Sequence, residues 1–199
     1  MKTRFTILII IQLFALTLWA QNGNDILGEY HQTRISTQQS GMLTLGAWAA
    51  GNMFFSGAAM MNTTGSTYRF HQMNVFWNVV NFGIAAGGYF GLPSPNEVPS
   101  LTTTMNEYHN FNKILLLNAG LDVAYMVGGF YLKEKAKNSE NRKALFKGYG
   151  NSVILQGAFL FVFDLTLYFI NQSHLQGIMQ SENWNLAIST AGFGITYSF

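Results

Sequence analysis

The sequence lacks cysteine and is poor in charge. Its 199 residues include no cysteine and only 3 prolines, and charged residues make up 10% of the chain, well below the roughly 25% of an average soluble domain. The missing thiols exclude disulfides, thiolate metal sites and a cysteine nucleophile. In contrast, 49% of the residues are hydrophobic and 15% are aromatic. This composition predicts a protein that is surrounded by lipid.

Patterns typical of nucleic-acid binding, catalysis and cofactor binding are also missing. The net charge is +2, and no basic stripe with interleaved aromatics suits a groove or a single strand. The motifs HExxH, GxSxG, GxGxxG and the phosphate-binding glycine loop do not occur. The four histidines have no ligand spacing, and none lies inside a long apolar run where a haem would need it. We therefore predict no nucleic-acid partner, enzymatic activity, metal or cofactor.

Residues 1–20 have the organisation of a signal peptide. Lys2 and Arg4 precede the apolar residues 5–19, and Ala20 comes just before a polar stretch. A short basic segment, an apolar core and a small residue at the end are what signal peptidase recognises. We predict cleavage after Ala20, and because Leu18 is large for its position, an uncleaved anchor remains the alternative.

The rest of the chain, residues 21–199, is predicted to form one membrane domain. After a polar lead-in at 21–40, four apolar runs are each near the 20 residues that an α-helix needs to cross a bilayer. The predicted spans are 41–61, 72–92, 112–132 and 151–171, followed by an outer-side tail at 172–199. The sequence thus predicts an all-α membrane protein with a four-transmembrane-helix bundle and a cleavable signal peptide.

The distribution of cations predicts the orientation. Seven of them fall in the loops after spans one and three, whereas only Arg34 and Lys113 flank the opposite side. Lysine and arginine are retained on the cytoplasmic side. With the N-terminus outside after signal cleavage, both basic loops are cytoplasmic, so the two signals agree on a bacterial inner (cytoplasmic) membrane protein.

Each predicted span carries polar residues near its centre. We expect this layer to form a polar midplane facing the bundle interior, since a carboxylate at mid-bilayer costs a few kcal/mol unless it is paired, protonated or hydrated. Asparagine and aspartate there either lock helices together or form a titrating route. The candidate midplane residues are Asn52, Asn78, Asn81, Asn118, Asp122, Gln156 and Asp164. His71 and Asn74 form a candidate site at the inner end of span two.

Small residues recur every four positions on two spans, as Gly83/Gly87/Gly91 and as Gly120/Ala124/Gly128. Such stripes allow helices to approach closely in lipid. We favour packing within one chain, with a homo-oligomer or a membrane-protein partner as the alternative.

Two other interpretations depend on short segments. Residues 193, 195, 197 and 199 alternate and end on Phe199, as in the last strand of an outer-membrane barrel. Residues 153–170 are apolar on both faces for longer than a barrel strand, so we expect residues 184–199 to be a surface segment or a fifth span. The pair Asp122 and Asp164 suits an intramembrane aspartyl protease, but the flanking glycine and tyrosine that such a pair usually has are missing.

Three segments together resemble an uncharacterised family of small bacterial membrane proteins. They are YRFHQMN at 68–74 leading to Trp77-Asn78, LLNAGLD at 116–122, and KGYG at 147–150 leading to Gln156-Gly157 and Phe163-Asp164. The resemblance implies a multi-span helical membrane fold and supplies no activity, ligand or functional residue.

The expected function is that of a non-enzymatic accessory or assembly component in the bilayer. The alternative is a small proton- or ion-linked transporter that uses the paired intramembrane aspartates. Neither an inverted repeat nor a broken helix supports the transporter from sequence.

Overall fold

All the regular secondary structure is helical in the part of the chain that its structure, a computed structural model, describes. The backbone is described for residues 2–97 and 99–190, and the side chains for 27–97 and 99–177. Within these residues there is no strand. The helices are α1 Lys2–Met60, α2 Gly65–Phe90, α3 Leu101–Lys137 and α4 Lys143–Thr190. The predicted all-α class is confirmed.

Local chemistry sets two of the helix starts. Gly65 opens α2 with φ 59°, a left-handed conformation that glycine adopts without a steric penalty. Ser100 caps α3, since its side chain accepts a hydrogen bond from the backbone N–H of Thr103 at 3.2 Å, satisfying one donor of the first turn. Residues 61–64 and 91–100 connect the first three helices.

The helices are longer than the predicted spans. The predicted polar lead-in at 21–40 and the first span belong to one helix, because α1 is continuous from Lys2 to Met60. The 37 residues of α3 correspond to about 55 Å at 1.5 Å per residue, more than the roughly 30 Å of bilayer hydrocarbon. Signal cleavage at Ala20 stays a prediction. Of the tail, residues 184–190 continue α4 and 191–199 lie outside the described part.

The contact between α3 and α4 follows a seven-residue repeat. On α3 the repeat consists of buried residues 108, 115, 122, 129 and 136, and on α4 of buried residues 150, 157, 164 and 171. A seven-residue spacing keeps one helix face on its partner. The backbones come close at glycines, since a Cβ on Gly150 would lie 2.6 Å from the carbonyl oxygen of Gly129, and one on Gly157 would lie 2.9 Å from that of Asp122.

The other helices complete the bundle around α4. α2 packs against both α1 and α4, whereas no Cα of α2 lies within 8 Å of a Cα of α3. Gly148 of α4 fits against the backbone of Ser66 and Phe70 in α2. α4 therefore packs between α2 and α3, α1 packs mainly on α2, and a gap separates α2 from α3.

The two four-residue glycine stripes do not contact another helix of this chain. A Cβ added at Gly83, Gly87, Gly120 or Gly128 would meet no atom within 4 Å, and Gly91 faces only the carbonyl of Gly87. The preferred expectation that these stripes pack within the chain is wrong. The close contacts use the seven-residue faces instead, and the stripes lie on the outer surface.

Polar side chains are concentrated inside the bundle and apolar ones outside. Buried polar residues include Asn74, Asn78, Asn81, Gln156 and Asp164, whereas more than twenty large hydrophobic side chains are exposed. Two described helices are long and apolar enough to cross a membrane, Leu101–Lys137 and Lys143–Gly177. The interior asparagines of α2 lower the hydropathy of that helix. That α1 and α2 also cross a membrane stays a prediction.

We expect Gly150→Ala to destabilise the bundle and Gly120→Ala to be nearly neutral. The first methyl group would collide with backbone of α3, and such overpacking costs roughly 1–3 kcal/mol. The second would point into open space. Thermal unfolding of the detergent-purified chain measures the difference. Equal melting temperatures for the two variants would contradict the observed helix contact.

Candidate functional site: a polar axis and a lateral groove

Side-chain amides from three helices meet between α1, α2 and α4. Asn74 donates to the Oδ1 of Asn52 at 2.7 Å and to the hydroxyl oxygen of Ser56 at 2.8 Å. Gln156 donates to the Oδ1 of Asn74 and accepts from the indole N–H of Trp48 at 3.0 Å. We call these five residues the amide cluster. Because every amide in it has a partner, it acts as a hydrogen-bonded link between helices.

The inner-end histidine joins the same cluster. The Nδ1 of His71 lies 3.1 Å from the hydroxyl of Ser56, and Ser56 also accepts from Asn74. The two candidate inner-end residues, His71 and Asn74, are thus connected through a serine that the sequence analysis did not single out. Ser56 lies one helical turn after Asn52, so the i, i+4 spacing on α1 was the available signal.

Two further asparagines extend the cluster along α2. The side chain of Asn78 donates to the backbone carbonyl of Asn74 at 2.7 Å, and that of Asn81 reaches the Oδ1 of Asn78 at 3.5 Å. All three are buried. From His71 to Asn81 the helix rises about 15 Å. We call this row, His71-Asn74-Asn78-Asn81, the polar axis.

Two carboxyl groups face each other on α3 and α4. The Asp164 carboxyl lies close to the Asp122 carboxyl and to the Asn118 amide, and both aspartates are buried. No donor among the described residues reaches the Oδ2 of Asp122. A neighbouring carboxyl donates a hydrogen bond only when it carries a proton. A proton shared by the two carboxyls would therefore supply a donor to this oxygen.

The carboxyl pair opens on a groove of about 440 Å³. The groove occupies the gap between α2 and α3, and α4 together with Met42 and Leu45 of α1 completes its lining. Its polar lining consists mainly of Asn81, Asn118, Asp122 and Asp164, and the rest is largely aliphatic and aromatic. Among the described lining residues there is no lysine, arginine or histidine. The site is a deep apolar groove with an acidic end.

An aromatic pair closes the groove on the side toward His71. Trp77 of α2 and Tyr125 of α3 meet edge to face, with ring centroids 4.8 Å apart, a favoured aromatic geometry. Beyond this pair the two helices are separated by the groove. In the part of the chain that the structure describes, no group of three or more His, Asp or Glu side chains is placed to hold a metal ion.

The nine candidate residues therefore fall into two linked groups. Asn52, His71, Asn74 and Gln156 belong to the hydrogen-bonded network between α1, α2 and α4, and Asn118, Asp122 and Asp164 to the carboxyl end of the groove, with Asn78 and Asn81 between them. The groove, its aromatic closure and the hydrogen bond from Trp48 to Gln156 were not predicted from the sequence. They depend on how the helices are arranged, which no local pattern encodes.

A second buried polar cluster lies at the other end of the bundle. Arg34 pairs with Glu107 at 2.6 Å and approaches the Nδ1 of His31 at 3.3 Å. The Nε2 of His31 lies 3.0 Å from the carbonyl oxygen of Ser94. Since the guanidinium can only donate, His31 accepts through Nδ1 and donates through Nε2. We call His31, Arg34 and Glu107 the outer cluster. It connects α1 to α3 and to the loop before α3.

Comparison with known proteins gives one match. The model of a family described as "Family of unknown function (DUF6992)" matches residues 44–165, which is more than half of the chain. A search of curated proteins and of solved structures finds no match. The matched region contains all nine candidate residues and excludes the outer cluster residues His31 and Arg34.

We expect Gln156→Met to destabilise the protein by about 1–3 kcal/mol, since it leaves the Trp48 indole N–H and the Asn74 carbonyl buried without partners. Leu155→Met is the matched control, because Leu155 is exposed on the adjacent position of α4. Chemical or thermal unfolding in detergent measures both. A control variant that loses as much stability as Gln156→Met would contradict a structural role for the amide cluster.

Proposed function

The chain belongs to the DUF6992 family, a family of unknown function, and we propose that it is a non-enzymatic helical membrane protein that binds a small amphipathic cation in the groove between α2 and α3. The observation that carries this proposal is the buried carboxyl pair at the end of an apolar groove. The proposed setting is a bacterial inner membrane crossed by all four helices, with the N-terminus outside after signal cleavage.

The surface of the bundle supports crossing by all four helices. On α1, Phe54 and Phe55 are each 72% exposed, and on α2 Phe76 is 65% exposed and Phe90 84%. Exposure of so many aromatic rings to water would be unfavourable, whereas lipid accommodates them. Ser56 of α1 and Asn74, Asn78 and Asn81 of α2, which lower the hydropathy of these helices, face the interior and are hydrogen-bonded there. We therefore propose that α1 and α2 also cross the membrane, although among the described residues only α3 and α4 are apolar enough by composition.

The lining of the groove indicates the class of ligand. Two carboxyls without a basic neighbour favour a positive charge, and the aliphatic and aromatic walls favour an apolar body. A primary or quaternary amine on an apolar frame has both features. It would supply the positive charge that the carboxyl pair lacks, in place of the shared proton.

Exchange of that proton gives the proposal a mechanism. When the cation enters, the carboxyl pair releases its proton, and when the cation leaves, a proton returns. The polar axis runs from Asn81 at the groove to His71 at the inner end of α2, and its side chains are polar groups that can hydrogen-bond to water. Movement of a cation against a proton is the transport form of this function.

The outward glycine stripes support a second function. Gly83 and Gly87 on α2 and Gly120 on α3 face open space, and a helix of another protein or of a second copy can lie against such flat surfaces. This is the accessory or assembly role. It uses the outer faces of α2 and α3 and does not require the carboxyl pair.

The absence of cysteine makes the topology directly testable. We expect an impermeant maleimide applied to intact cells to label Asn96→Cys, whereas Asn62→Cys and Ser139→Cys react only after permeabilisation. If only α3 and α4 crossed the membrane, Asn62 and Asn96 would lie on the same side. Labelling of both from outside would contradict the four-span arrangement. The unmodified chain, which has no cysteine, is the blank.

We expect Asp164→Asn and Asp122→Asn each to lower the affinity for tetraphenylphosphonium, a lipophilic cation, by at least tenfold. The reason is that each variant removes a negative charge from the groove. Affinity should also rise with pH while the site carries a proton, by up to tenfold per unit, because the proton and the cation compete. Equilibrium binding to the purified chain measures both effects.

Glu140→Gln is the control for these variants, since it removes a carboxylate that is exposed in the loop between α3 and α4. Its affinity for the cation should equal that of the unchanged chain. Unchanged affinity in both aspartate variants would contradict the binding function and favour the assembly role.

A further inference from the structure

A basic pocket lies at the end of the bundle opposite the outer cluster, where α3 ends and α4 begins. It has a volume of about 820 Å³. Its lining combines four lysines and one glutamate with exposed apolar and aromatic side chains. The lining residues are Val127, Phe130, Tyr131, Lys133, Glu134, Ala136, Lys137, Lys143 and Lys147.

Three of the four lysines have no carboxylate partner among the described residues. Lys137 pairs with Glu134 at 2.6 Å, which neutralises the one acidic group of the pocket. Lys133, Lys143 and Lys147 form no such pair within the described chain, and the Nζ of Lys133 stands 6.0 Å from the Phe130 ring centroid. The lining of the pocket therefore carries more positive than negative charge.

The apolar part of the pocket continues onto the outer surface of α3. Val127, Phe130 and Tyr131 are 61%, 59% and 63% exposed. From Val127 to Lys133 the helix rises about 9 Å, and from Asp122 to Lys133 about 16 Å, which is close to the half-thickness of bilayer hydrocarbon. The lysines then lie at headgroup depth and the apolar side chains at acyl-chain depth.

We propose that this pocket binds an anionic phospholipid, with the phosphate among Lys133, Lys143 and Lys147 and the acyl chains along Val127, Phe130 and Tyr131. A free phosphate ion would use only the lysines and would leave the adjoining apolar surface without a role. Basic pockets between helices on the cytoplasmic side are known to suit acidic headgroups. The inference depends on the proposed membrane embedding and is independent of cation binding in the groove.

Lipid titration of the detergent-purified full chain, followed by native mass spectrometry, tests the proposal. We expect phosphatidylglycerol to bind at least tenfold more tightly than phosphatidylcholine with the same acyl chains. The double variant Lys143→Gln/Lys147→Gln should lose about tenfold in affinity for phosphatidylglycerol. Both lysines are exposed, so we expect the helical content of this variant to be unchanged.

The control is Lys113→Gln/Arg142→Gln, which removes the same number of positive charges from residues that do not line the pocket. It should change the affinity less than threefold. Equal losses in the two double variants would overturn the proposal by showing that diffuse surface charge attracts the lipid. Equal binding of the two lipids, or displacement of phosphatidylglycerol by millimolar inorganic phosphate, would also overturn it.

The outcome can be separated from that of the proposed function. Maleimide labelling tests whether the four helices cross the membrane, and cation binding tests the function of the groove. If labelling gives the four-span pattern and the two lipids still bind equally, the lipid site alone is wrong. If labelling contradicts the four-span pattern, the proposed membrane embedding is wrong, and the lipid site that depends on it is wrong for that reason.

Discussion

The structure depends on one constraint, the hydrogen bonding of polar side chains inside a bundle whose outside is apolar. Asn74 illustrates it, because its amide joins Asn52 and Ser56 on α1 while its carbonyl accepts from Gln156 on α4. A buried amide without partners costs about 1–3 kcal/mol, so these contacts hold three helices in one register. In lipid, where apolar side chains gain nothing by leaving their surroundings, such contacts and close packing are what draw helices together.

The groove follows from how tightly α3 and α4 pack. Gly150 and Gly157 let the two backbones approach, and Asp164 occupies the next position of the same seven-residue face, opposite Asn118 and Asp122. α2 contacts α4 but not the backbone of α3. The carboxyl pair is therefore buried but lies beside the groove between α2 and α3. The packing of α3 on α4 therefore brings the two carboxyls together and places them beside the groove.

The two ends of the bundle differ in chemistry. At one end buried polar and charged groups, including the Arg34–Glu107 pair, hold α1, α3 and the loop before α3 together. At the other, lysines surround an open pocket whose apolar wall continues onto the surface of α3. At the first end Arg34 is paired with Glu107. At the second end the lysines remain available to an anion. This asymmetry parallels the uneven distribution of Lys and Arg along the chain.

The sequence by itself determined the helical class, the location of candidate polar residues on four helices and a resemblance to an uncharacterised family, because hydrophobic runs and helical spacing are local properties. It did not determine which glycines pack. The four-residue stripes at Gly83 and Gly120 looked like contact faces but lie outside, whereas Gly150 and Gly157 make the contact. The choice between two small-residue faces depends on the facing helix. Only the tertiary structure decided that, and with it the groove beside Asp122 and Asp164, because a gap between helices is a property of their arrangement and of no single segment.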